Sequence, residues 1–391
     1  MSPVGITSEN VARPPPGSLT PLSLQFSPDE KLLTYLFRDD TSNARQLFSV
    51  DCTTPAYKTG KLVDMSRELS KLSHEEALRR ERMRLFADGV VSYEWNGSTT
   101  ESQKVMIPFN GKVIQVTPND GTDMRVLYDA SAGPCIDPHM APDNSAVAFT
   151  MADNLWVQPV PASNGGGASM PIRVTENGLS NGIQCGAADY IAQEEMDRYR
   201  GYWWSSDSKF IAYTETDENE VQEYHILHQG KADPKHTETH RYPFVGAANP
   251  FVKLAVLPVP AAGCTSPPES VWMNLIGADQ SVINPSDYYL GRVGWWTDGS
   301  VMAQVTNREQ TVLELLRLDP TTGEREVLLT EKSSFWINLH DMLFEGFPAD
   351  WTLDGSAKAS GDFFFIWSSE RSGFAQLYLY QYVAAQKKCA V

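Results

Sequence analysis

Short apolar runs alternate with compact polar turns along the chain, and one version of the pattern recurs. An aromatic or apolar residue leads into a turn of the Ser-Pro-Asp kind, and an apolar strand follows. The copies are "FSPDEKLLTYLF" from Phe26, "MAPDNSAVAFTM" from Met140, "WSSDSKFIAYTE" from Trp204 and "WWTDGSVMAQVT" from Trp295. Asp29, Asp143, Asp207 and Asp298 hold the same slot. An aspartate there bonds the backbone two residues on, and a preceding proline presets φ. Each copy is followed by a second run of strand character: "QLFSVD", "NLWVQPV", "VQEYHIL" and "VLELLRLD". Less regular copies lie at "VVSYEWNGSTTESQKVMIPFNGKVIQVTPNDG" and "DFFFIWSSERSGFAQLYLYQ". Short strands rich in β-branched and aromatic residues, repeated at intervals of tens of residues, predict an all-β chain: a β-propeller with insertions in some blades. A sandwich of equal strand content has no need of the repeated aspartate.

One stretch alone reads as helix, "LSHEEALRRERMRLFADG". Ser73 with Glu76 fits a capping box, and Gly89 sits where the helix should stop. Glu75 with Arg79 and Glu76 with Arg80 are i,i+4 pairs in the favourable order, the pattern of a solvated helix face. The first twenty residues, with Pro14, Pro15 and Pro16 in a row, read as an extended arm. The propeller is expected over residues 21–385, with a polar tail at 386–391.

Composition narrows the class. Of 391 residues, 41% are hydrophobic and 10% aromatic, enough for a core and too many for disorder. A net charge of −17 excludes a nucleic-acid partner, which needs a basic face. The N-terminal stretch lacks the apolar centre of a signal peptide, and no apolar run is long enough to span a bilayer. Five cysteines, far apart and without metal-type spacing, fit reduced thiols in a cytoplasmic protein.

Three motifs carry candidate chemistry. "GLSNG" matches the nucleophile-elbow pattern at Ser180, but its flanks are polar and loop-like, without the strand and helix such a serine needs. His225, His228, His236 and His240 have metal-like spacings only on a helix, and their stretch holds a strand and a proline. No metal or cofactor is expected. Glu194 and Glu195 are adjacent in "QEEMDRYRGYWW". On a strand they would point to opposite faces; on a helical turn or in a loop they can converge. Converging carboxylates repel each other unless a cation fills the gap, and a primary ammonium with three donors suits that role. On residue types alone a solvated loop remains the simpler reading.

"QEEMDRYRGYWW" resembles the double-glutamate motif of the dipeptidyl peptidase IV family of serine peptidases. The resemblance is strongest to the cytosolic dipeptidyl peptidases 8 and 9 and to bacterial relatives. "LRRERMRLFADGVVSYEW", "RYPFVGAANPFVKLAV", "GRVGWWTDGSVMAQVTNREQT", "FWINLHD" and "WSSERSGFAQLYLY" each resemble family segments, in family order, over roughly residues 20–382. The resemblance implies an eight-bladed propeller, about seven blades of it present here, that caps an α/β-hydrolase domain absent from this chain. It implies hydrolysis of N-terminal dipeptides after proline or alanine, with Glu194 and Glu195 holding the substrate's free amine. The family arginine that holds a substrate carbonyl falls on Arg84 or, second, Arg82. The resemblance also implies that "WINLHD" is a loop near the pocket for the amino-terminal side chain, which makes His340 and Asp341 candidates. A homodimer is implied for the whole protein, partly through an arm at about Asn219–Tyr242. Phe374-Ala375-Gln376-Leu377 departs from a basic pair in relatives, and no catalytic triad precedes Val391. A propeller that binds peptides or proteins without hydrolysis is the alternative.

Overall fold

The computed structural model describes residues 7–8, 20–38, 44–63, 65, 72–96, 103–118, 124–161, 170–178, 182–227, 230, 237–261, 263–264, 266–277, 283–284, 286–347, 351 and 361–390. The proline-rich start, apart from residues 7–8 and 20, lies outside the described residues, as do Ser180, His228 and His236. The fold is all-β, built from the four-stranded antiparallel meanders of a β-propeller. Contacts divide the chain into two units, residues 1–151 with 156–172, and residues 152–155 with 173–391.

The first sheet joins β1 (Leu22–Phe26), β2 (Leu32–Phe37), β3 (Ala44–Asp51) and β4 (Thr59–Val63) in sequence order. Helix α1 (His74–Arg82) follows, and β5 (Asp88–Gly89) then pairs in parallel with β3. The second sheet holds β6 (Glu94–Asn96), β7 (Lys104–Phe109), β8 (Lys112–Val116) and β9 (Met124–Tyr128). The third holds β10 (Ile136–Met140), β11 (Ala146–Met151), β12 (Asn154–Pro159) and β13 (Ile172–Arg173). Leu36, Leu47, Val105 and Ile107 pack together in one core of the first unit. Met106, Val147 and Phe149 belong to another.

In the second unit, β14 (Ile183–Cys185) and β15 (Tyr202–Trp204) both pair with β16 (Phe210–Asp217), and helix α2 (Tyr190–Glu195) lies between them in sequence. The ribbon of β17 (Glu223–Leu227) and β18 (Thr237–Arg241) stands as its own sheet before β19 (Phe251–Pro258) and β20 (Val271–Trp272) complete the blade. The fifth sheet holds β21 (Tyr288–Trp295), β22 (Val301–Asn307), β23 (Val312–Leu318) and β24 (Arg325–Lys332). The sixth holds β25 (Leu343–Phe344), β26 (Phe363–Ser369), β27 (Gln376–Val383) and β28 (Lys388–Ala390). Trp296, Phe365, Trp367 and Tyr382 fill the core that joins these two sheets. Burying each such side chain contributes about 1.5–3 kcal/mol.

Several details differ from the sequence reading. The expectation of about seven blades resolves, among the described residues, into six blade sheets and one two-stranded ribbon. "VQEYHIL" is not a blade strand: β17 is exposed along its whole length, and the partner of β16 is β19, whose Leu254–Leu257 are fully buried. A run without a buried face cannot hold a blade position. Residues 388–390, read as polar tail, form the outer strand β28, because Lys387 turns left-handed (φ 51°) and reverses the chain. Helix α1 ends at Arg82 rather than near Gly89. Glu76 pairs with Arg80 as expected, but Arg79 turns to Asp137, with Glu76 at 3.8 Å.

The repeated aspartates act as the pattern requires. Asp29 Oδ1 accepts from the Lys31 N–H and the Ser27 hydroxyl, and Asp207 Oδ1 from the Lys209 N–H and the Ser205 hydroxyl. Asp143 and Asp298 accept from the N–H groups of Ser145 and Ser300. In every copy the next residue, Glu30, Asn144, Ser208 or Gly299, is left-handed. The Ser27 hydroxyl above all holds Asp29 down at about 2, and the Ser205 hydroxyl lowers Asp207 in the same way. A carboxyl whose folded value lies below its unfolded value, about 4, stabilises the fold above that pH. The contribution is lost as pH falls from about 4 towards 2. The melting temperature is therefore expected to drop across that window, and less steeply in Asp29→Asn, which keeps an acceptor without the titrating charge. Parallel melting curves for the two proteins would contradict this.

Candidate functional site

The blade made by β14, β15, β16, β19 and β20 has an interrupted first strand. Cys185 pairs with Glu215 and Tyr202 with Tyr213, so residues 186–201 leave and rejoin one strand opposite a single residue, Thr214. Thr214 closes the base: Gly186 N–H donates to its carbonyl, its own N–H donates to the Gly201 carbonyl, and its hydroxyl lies 3.1 Å from the Ala187 carbonyl. Gly201 is required by space, since a Cβ there would sit 2.5 Å from backbone atoms of Gly186 and Ala187.

Within this excursion Asp189 caps α2, accepting from the Ala192 N–H at 3.0 Å. Buried Arg198 returns to Asp189 at 3.5 Å, donates to the Arg200 carbonyl, and gives its backbone N–H to the Ala192 carbonyl. Burial lowers Arg198 from its ordinary value, Asp189 opposes that shift and neighbouring Arg292 adds to it. Glu194 and Glu195 are the last two helical residues, the first half-buried and the second exposed. Consecutive helical positions are about 100° apart, so the carboxylates leave the same end of the helix on neighbouring faces. That end is the negative pole of the helix, which disfavours carboxylates and favours a cation.

Glu195, Met196, Asp197 and Arg292 line a pocket of about 160 Å³, closed by Leu313, Trp336 and Leu339 among others. Arg292 lies on β21 and reaches the Met196 carbonyl at 2.6 Å and Asp341 through Nε. Asp341, a sequence candidate, is thus paired with Arg292, though 78% exposed. His340 is committed to the fold: Nε2 lies 2.9 Å from the Ser368 carbonyl, Nδ1 accepts from the Met342 N–H, and the ring packs on Trp367.

The arginine candidates belong to the other unit. Arg82 ends α1, and Arg84 follows in a left-handed conformation (φ 57°). The Leu85 N–H bonds the Arg80 carbonyl and the Arg84 N–H bonds the Glu81 carbonyl, the two bonds of a Schellman cap. Arg84 stands where glycine is usual, and its guanidinium donates to the Glu81 carbonyl at 3.0 Å. Left-handed geometry costs a side-chain-bearing residue about 1–2 kcal/mol, of which glycine would forfeit about 0.5–1 through unfolded-state entropy. Arg84→Gly is accordingly expected to stabilise the fold by about 0.5–1 kcal/mol in urea denaturation. No gain would mean the guanidinium contact supports the cap more than the backbone strains it. His225 pairs across the ribbon with Thr239 and Tyr224 with His240, so His225 and His240 sit on opposite faces and do not converge.

The model of the dipeptidyl peptidase IV N-terminal region matches residues 89–390. The chain belongs to this family. Human dipeptidyl peptidase 8 is 26% identical over 359 residues, covering 78% of this chain and 37% of the relative. Pig dipeptidyl peptidase 4 is 27% identical over 252 residues, covering 60% and 31%. The chain thus spans well under half the length of these relatives. The crystal structure of Porphyromonas gingivalis dipeptidyl peptidase 4 superposes with a TM-score of 0.64 at 19% identity, over 92% of this chain and 45% of that one. The likeness confirms the propeller fold of the dipeptidyl peptidase IV N-terminal region. In this family member the sequence reading passed over Thr214, Asp189, Arg198 and Arg292. Asp189 carried a legible signal, a cap residue just ahead of "YIAQEE". Thr214 and Arg292 are set by bonds between residues far apart in sequence, and Arg198 by the course of the chain within residues 186–201.

Proposed function

We propose that this chain is the substrate-recognition propeller of a serine-type dipeptidyl peptidase that releases Xaa-Pro or Xaa-Ala dipeptides. Glu194 and Glu195 hold the substrate's amino terminus, and bond cleavage belongs to a hydrolase domain joined to the propeller. One observation carries the reading: two consecutive carboxylates end a helix that is held out from a blade strand, and Glu195 opens onto a pocket. Here the charges are gathered at a helix pole that favours a cation, as a free α-ammonium requires. The pocket beside them, with Trp336, Leu313 and Leu339 in its wall, suits the side chain of the first residue. The cytoplasmic placement and peptide partners belong to the same proposal.

The test is direct. A peptide beginning Gly-Pro and its N-acetyl form are titrated against the protein. Tighter binding of the free amine supports the reading, and equal affinity for both would leave a peptide-binding module without amine recognition.

A further inference from the structure

We propose that Arg292 is a positioning residue for the amine site, fixing the end of α2 so that Glu194 and Glu195 stay aimed at one ammonium. The inference rests on the amine-binding reading above and adds the device that makes it geometrically possible. Helix α2 has six residues, too short to hold its own shape, since isolated helices below about 12 residues are marginal. Its N-terminal end is fixed by Asp189 and Arg198. The C-terminal end, which carries the glutamates, has the Met196 carbonyl among its groups without an intrahelical partner. Arg292 Nη1 takes that carbonyl at 2.6 Å, one residue beyond Glu195.

The guanidinium is itself immobilised. The register of β21 against β22 slips between Leu290 and Arg292, a bulge that re-aims the side chain. Gly291, at the bulge, leaves room for the Leu339 side chain, whose Cδ1 an added Cβ would meet at 2.8 Å. Arg292 also donates to the Gly291 carbonyl at 2.9 Å, and its side chain is only 15% exposed. Nε pairs with Asp341 from the 335–341 loop. One planar fork thus joins a rigid strand, the end of α2 and the loop that lines the same pocket. A lysine offers one donor direction in place of the fork. The cation also complements the negative pole of α2, offsetting part of the cost of two carboxylates there.

The quantity to read is amine preference, the ratio of affinities for a Gly-Pro-initiated peptide and its N-acetyl form, by titration of the protein and its variants. A ratio compares two ligands on one folded protein, so a loss of stability alone does not move it. Glu195→Gln is expected to lower the preference about tenfold, the worth of one charge-assisted bond. Arg292→Met is expected to lower it by a similar factor, with Arg292→Lys recovering part. If Glu195→Gln lowers the preference and Arg292→Met does not, the positioning role is overturned and amine recognition stands. If Glu195→Gln leaves the preference intact, the amine reading falls and this inference with it. Should Arg292→Met not fold, Asp341→Ala decides, since its side chain lies at the surface. A two- to threefold loss supports the clamp, and an unchanged ratio overturns it.

Discussion

In a peptidase of the proposed kind, with this propeller joined to a hydrolase domain, Glu194→Ala or Glu195→Ala is expected to reduce kcat/KM for a free-amine dipeptide substrate by about two to three orders of magnitude. Each charge-assisted hydrogen bond to the ammonium contributes about 1.5–3 kcal/mol, and one glutamate can accept one or two. Water replaces part of what is lost, which leaves a net effect of about 3–4 kcal/mol. The same variants are expected to change the hydrolysis of an N-acetylated substrate far less, because that substrate has no ammonium to lose. A glutamate that only supported the fold would harm both substrates alike, and equal losses would reject the assignment. Arg84→Ala provides the contrast. If it holds a substrate carbonyl, acetylation leaves that group in place and both substrates suffer.

Gly201→Ala is the second large effect. The added Cβ would lie 2.5 Å from three backbone atoms of Gly186 and Ala187, and backbone at the root of an excursion cannot rotate aside as a side chain does. Overpacking of this kind costs about 1–3 kcal/mol. The damage falls on the bonds by which Thr214 holds both ends of residues 186–201. Expected together are a lower melting temperature and a loss of amine preference comparable to that of the glutamate variants. Thr214→Val tests the same closure from the other side, since it removes a hydroxyl that lies within 3.2 Å of the Ala187 and Gly201 carbonyls. A Gly201→Ala protein with wild-type melting and unchanged preference would show that the excursion is not closed at this point.

The fold was legible because its cause is local. A blade turn is decided by residues within six positions of one another, and the hydroxyl-to-aspartate and aspartate-to-backbone bonds at Asp29 and Asp207 are the ones their spacing requires. The cap of α1 by Ser73 was readable for the same reason. Its end was not: Gly89 has the composition of a stop, while Arg84 takes the left-handed position after a shorter helix. The strand run at Glu223–Leu227 misled because strand propensity says nothing of which sheet a strand joins. The adjacency of Glu194 and Glu195 is a property of the sequence. That they end a helix, raised from a broken strand by Thr214 and Gly201 and tied down by Arg292, is not. Those bonds join residues 13 to 96 positions apart, and such pairings exist only once the sheets have formed and fixed which backbone groups face each other. Local side-chain chemistry thus determined the repeating blades and the candidate carboxylates, and the tertiary structure alone decided where those carboxylates are held.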